Sequence, residues 1–167
     1  MMIVDEKFRK NKLQYLGQCA LAMISILVVQ IFLDVVLDAA VIASLGASCF
    51  IIFLLPHVNS SKSRFIIGGY IVGISSAFLC SNLSKIQFFT EFGLNHRYWI
   101  IMLGSITVGL SMLLMVLTDT EHPPAAGMAL GLVIDGFNYK TVVIVLVGIV
   151  LLCFIRFCLR KRLINLL

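Results

Sequence analysis

Charge is what this chain lacks most. Only 13% of its 167 residues are charged, against roughly 25% in a soluble domain. That scarcity excludes an ordinary water-soluble fold. Proline is nearly absent, with three in all, at Pro56, Pro123 and Pro124. The five cysteines (Cys19, Cys49, Cys80, Cys153, Cys158) form no CxxC and no Cys/His cluster. They lie in or at apolar runs, where small buried side chains are expected. The histidines, His57, His96 and His122, lack a helical i, i+4 spacing, so no metal site is expected. There is no Ser-His-Asp set, no P-loop and no dinucleotide fingerprint, so neither an enzyme nor a cofactor is expected. The first apolar run is too long for a signal-peptide core and has no cleavage site, so it is expected to stay as a span.

What is present is hydrophobicity. The chain is 60% hydrophobic with a mean hydropathy of +1.06, which defines an integral membrane protein of one domain. The net charge of +5 does not indicate nucleic-acid binding. Its basic residues crowd at the ends: Lys7, Arg9, Lys10 and Lys12, then Arg156, Arg160, Lys161 and Arg162. That is the pattern of cytoplasmic segments facing anionic lipid. Residues 1–12 are therefore expected as a basic cytoplasmic N-terminus, 13–159 as one transmembrane domain, and 160–167 as a basic tail. The expected location is a bacterial inner (plasma) membrane, multi-pass, with both termini cytoplasmic.

The apolar runs read long, short, long, then long, short, long. Leu13 to Leu37 ends with Asp34 and Asp38, one helical turn apart. Both are candidates for a pore mouth or for coupling. Ala39 to Leu55 is short, with the small-residue centre Ser44-Leu45-Gly46-Ala47-Ser48. Phe65 to Leu83 contains the pair Gly69/Gly73. Ser84 to Arg97 suggests a surface helix, and Tyr98 and Trp99 suggest interfacial anchors for Tyr98 to Leu117. Ala125 to Ile134 is short again, and Thr141 to Leu159 closes the series. The fold class is all-α: a polytopic transmembrane bundle of two three-helix repeats, inverted relative to one another. It has four long spans plus two short segments, each broken or re-entrant. Counting Lys and Arg places the termini inside whether four or six segments cross, and does not choose between them.

The stretch Thr118-Asp119-Thr120-Glu121-His122-Pro123-Pro124-Ala125-Ala126-Gly127 concentrates the candidate chemistry. Consecutive prolines stop one helix and start another. The N–H groups of Ala125, Ala126 and Gly127 are then expected to point back toward His122 as an anion site. A break at Ser44 to Ser48 would supply a second, with Ser44 and Ser48 hydroxyls beside the bare backbone of Gly46 and Ala47. His122 donates to an anion or relays a proton, Arg64 attracts anions at the mouth, and Glu121 is a further pore or coupling candidate, which with Asp119 either neutralises a charged His122 or faces a membrane mouth.

These residues resemble the HPP family of small integral membrane proteins. His122-Pro123-Pro124-Ala125 with Ala129-Leu130 is similar to the second half of its pattern. Ser44-Leu45-Gly46-Ala47-Ser48 with Phe53, Pro56 and Gly69 is similar to the first. Where the family often has Gln-Pro-Arg and Gly-His, this chain has Lys62-Ser63-Arg64 and Gly69-Tyr70. The family includes chloroplast and cyanobacterial members implicated in nitrite transport. The resemblance implies a small-anion channel or transporter, with nitrite or nitrate as substrate. The alternatives are a cation- or proton-coupled transporter of a small solute, using Asp34, Asp38, Asp119 and Glu121, and a non-transporting scaffold or sensor subunit. Expected partners are membrane lipid, the anion and further copies of the same chain.

Overall fold

A computed structural model of the protein describes residues 12–33, 39–84 and 96–166. Asp34, Asp38 and most of the surface helix expected between Ser84 and Arg97 lie outside the described residues. Within them are six α-helices: α1 Lys12–Leu33, α2 Ala39–Leu54, α3 Ser63–Ser84, α4 His96–Thr118, α5 Pro123–Ile134 and α6 Tyr139–Leu159. Four of these, α1, α3, α4 and α6, are long and apolar enough to cross a membrane. The other two, α2 and α5, have 16 and 12 residues, about 24 and 18 Å at 1.5 Å per residue.

Contacts fix the direction of each helix. Tyr15 on α1 donates to the carbonyl of Leu166 at 2.8 Å. Buried Gln18, one turn on, donates to the carbonyls of Phe53 and of Ile164. Leu166 N–H in turn donates to the Leu54 carbonyl at 2.9 Å, and Arg156 near the end of α6 reaches the carbonyl of Pro56. The start of α1, the end of α2 and the end of α6 therefore share one end of the bundle, called here the basal end. At the opposite end Gly131 of α5 packs against Ala40 of α2. Successive helices alternate in direction, so α1–α2–α3 and α4–α5–α6 run in opposite senses. The bundle is built as the long–short–long pattern anticipated.

Two expectations change. The chain does not break at Ser44 to Ser48: α2 is continuous from Ala39 to Leu54. One helical glycine costs about 1 kcal/mol relative to alanine, whereas each backbone group left unpaired within a membrane costs several. Ser44 donates to the Val41 carbonyl at 3.0 Å instead of capping a new helix. Nor is α5 re-entrant, because it enters from the basal end and finishes beside the start of α2. Smaller corrections concern side chains. Trp99 is buried while Tyr98 is exposed, and Cys19 and Cys158 are exposed while the other cysteines are buried.

Hydroxyls within the described helices mostly bond back along their own chain, which meets those donors without a partner from another helix. Ser25, Ser75, Ser76, Ser105, Thr107, Ser111 and Thr118 each donate to the carbonyl four residues earlier. Ser48 departs from this habit.

Candidate functional site

The α4–α5 connection is built by its sequence. Asp119 adopts φ +52°, its N–H bonds to the Val116 carbonyl, and Thr120 N–H bonds to the Met115 carbonyl at 2.9 Å. This is the Schellman closure of a helix, with aspartate in the left-handed position usually held by glycine. Aspartate tolerates it better than most side chains. The Asp119 carboxylate also meets Arg64 at 3.0 Å, but both side chains are about two-thirds exposed. Such a surface pair contributes little, about 0 to 1 kcal/mol. His122 is then extended (φ −142°, ψ 93°), and the two prolines occupy the first turn of α5, where a missing N–H costs nothing.

This connection is recessed. Gly68 and Gly69 of α3 face Thr120 and His122, and Gly73 faces the carbonyl of Ala125. A side-chain carbon at Gly69 would stand 2.7 Å from His122 Cβ and 2.9 Å from the Thr120 carbonyl oxygen. His122 is thus level with a residue six positions into α3, about 9 Å along its axis. Only glycine permits that approach. The short 3₁₀ turn Asn59–Ser61 supplies the carbonyl that covers the imidazole.

His122 is completely buried, and so are Ser48 and Tyr70. Ser48 Oγ lies 2.8 Å from His122 Nε2 and 2.9 Å from Tyr70 Oη. His122 Nδ1 lies 2.8 Å from the Ser60 carbonyl oxygen. A carbonyl only accepts, so Nδ1 carries the hydrogen and donates. Nε2 of the neutral ring is therefore the acceptor of the Ser48 hydroxyl, and Ser48 accepts from Tyr70. The chain of bonds has one direction, Tyr70 to Ser48 to His122 to Ser60, and every polar hydrogen in it is used. The Tyr70 and His122 rings are also in contact, with centroids 5.6 Å apart.

The two stretches singled out by sequence therefore meet. Ser48 bonds His122, while Gly46 and Ala47 share an open furrow with Pro123 and Pro124. The expected cradle of backbone donors takes a different form. Prolines remove two N–H groups from the start of α5, and Ala125 N–H donates to the carbonyl of His122 itself at 3.0 Å. Ala125 and Ala126 are buried. Gly127 and Glu121 are exposed and line a separate groove between α4 and α5. Arg64 stands at the basal surface with Asp119. Sequence reasoning treats Tyr70 only as a departure from a family pattern, and it misses Ser60 and Gln18. Tyr70 follows Gly68-Gly69 in an apolar span, and a phenol there needs a buried partner. That was the available signal. The described residues contain no cluster of His, Cys, Asp or Glu able to hold a metal.

Such an arrangement defines a multi-pass helical membrane protein, with a buried polar centre where its two oppositely directed halves touch. The model of the HPP family's transmembrane region matches residues 8–163. The chain belongs to the HPP family of transmembrane proteins. Comparisons with curated proteins and with solved structures return no match.

Proposed function

We propose that this protein carries a small inorganic anion across the membrane, with nitrite and nitrate the first substrates to test. The observation that carries the proposal is the Ser48–His122 bond. It joins α2 of one half to α5 of the other, and inverted halves characteristically enclose a transporter's site at their interface. In the closed state the site's donors satisfy one another. When the α2–α5 contact opens, the Ser48 and Tyr70 hydroxyls are released, and an acceptor entering between them restores the lost bonds. Lys12, Lys62, Arg64, Arg156, Arg160, Lys161 and Arg162 belong to the basal end, against Arg97 and Lys140 at the other. That excess supports a cytoplasmic basal end in a bacterial plasma membrane, and a field that draws anions toward it. Homo-oligomeric assembly belongs to the same proposal.

Purified protein in proteoliposomes, challenged with nitrite, nitrate and formate, tests it. Flux above that of empty vesicles, lost in Ser48→Ala, is expected. Folded protein without anion flux would overturn the reading. A second reading is favoured by Glu121, which is exposed beside His122 without a partner among the described residues. In it, Glu121 binds a coupling proton or cation, and Glu121→Gln abolishes solute uptake. Under the anion reading the same variant retains flux.

A further inference from the structure

The groove between α4 and α5 has a chemistry that anion passage does not use. It encloses about 440 Å³, within the roughly 300–1,000 Å³ of small-molecule sites. Its walls are apolar, with Val108, Met112 and Val116 on α4 and Leu130 on α5. Its floor is open at Gly127, where an added side-chain carbon would meet nothing within 4 Å. Glu121 is the one acidic residue on its lining. That carboxylate has no hydrogen bond or ion pair among the described residues, the nearby acid Asp119 being the one paired with Arg64.

We propose that this groove binds a free amphiphilic organic cation, its apolar body against the α4 and α5 side chains and its charge beside Glu121. The lining decides the class. A carboxylate at the edge of an apolar groove repels anions and attracts a cation, and because Glu121 is exposed the attraction sets the sign of charge while the apolar walls supply most of the affinity. A small metal ion gains too little there, because one carboxylate cannot replace the several oxygen ligands of its hydration shell. An organic cation holds its water loosely and brings the apolar surface that the groove can cover. Methionine side chains adapt to varied shapes, so a family of such cations fits rather than one. His122 of the polar centre also borders the groove, but the proposal uses neither Ser48 nor Tyr70, so it can fail while the anion reading stands.

Equilibrium dialysis of the full chain in detergent, with tetraphenylphosphonium and with tetraphenylborate, tests it. The two ions match in shape and differ in the sign of charge. Saturable binding of the cation is expected, with the anion at least tenfold weaker and Glu121→Gln reducing cation binding at least tenfold. Gly127→Leu, which fills the floor, is expected to abolish it. Equal binding of the two ions, or unchanged cation binding by a monodisperse Glu121→Gln protein, would overturn the proposal. So would wild-type protein that binds neither ion because a second copy covers the groove. Should Glu121→Gln fail to fold, Gly127→Leu decides: cation binding retained there overturns the proposal.

Discussion

Gly69 on α3 lies so close to His122 that a side-chain carbon on the glycine would stand 2.7 Å from the histidine Cβ. The polar centre is therefore positioned by an absence of side chain as much as by the groups that bond within it. Gly69→Ala forces the α4–α5 connection away from α3, and overpacking of this kind costs about 1–3 kcal/mol. Thermal unfolding in detergent should show a clear drop for Gly69→Ala. Gly46→Ala, at a helical position with nothing within 4 Å, should hold or gain up to about 1 kcal/mol.

Ser48→Ala removes the donor to Nε2 and the acceptor for Tyr70 together, leaving two buried groups unmet. Each unmet group costs about 1–3 kcal/mol. Tyr70→Phe removes only the first donor of the chain and should cost less. In the Ser48→Ala background the tyrosine hydroxyl has lost Ser48 and has only Ser44 beside it, so Tyr70→Phe should then cost less than it does in the wild type. A double-mutant cycle on detergent stability measures this, with a coupling of about 0.5–3 kcal/mol expected for groups in one network. Additive losses would show that the three side chains act separately.

Asp119 pays a conformational cost for its left-handed backbone, roughly 1–2 kcal/mol for an ordinary side chain. Asp119→Gly relieves that cost and loses an exposed ion pair of small value. Its melting temperature should equal or exceed that of the wild type, while Asp119→Val should fall below both. Raising sodium chloride to 0.5 M should leave the ranking unchanged, because screening acts on the pair and not on the backbone.

Gln18 ties α1 to two other segments, with its amide nitrogen on the carbonyls of Phe53 and Ile164 and its oxygen accepting from Ile164 N–H at 3.3 Å. Gln18→Leu should loosen the segment around Ile164, which Tyr15 and the Leu54 carbonyl still hold at Leu166. Hydrogen exchange should accelerate most at Ile164, whose N–H loses its acceptor, and less at Leu166, while exchange in α3 and α5 should not change.

The helices and their order were readable in the sequence because apolar runs and sparse charge leave few alternatives in a membrane. The recess at His122 was half readable. Two prolines announce where α5 starts, but the depth of that start is set by Gly68, Gly69 and Gly73 on a distant helix, and such contacts leave no local pattern. The small residues around Ser48 suggest a helix break that does not occur. Ser48 matters instead because its hydroxyl leaves its own helix, which depends on Tyr70 and His122 being within reach. The prolines misled in one respect. They mark a helix N-terminus, but they also delete the donors that make such a terminus attractive to anions, and the His122 carbonyl takes the next one.

The bond between Ser48 and His122 spans 74 positions in the chain, whereas Ser48 and Tyr70 are 22 apart. During synthesis the first three helices must therefore enter the membrane with a serine hydroxyl aimed at a ring that does not yet exist. Leu166 in turn ties the segment after α6 to Tyr15 of α1 and Leu54 of α2 at the basal end. A chain truncated after α3 lacks the ring, and its Ser48 hydroxyl has only the carbonyls of its own helix to turn to.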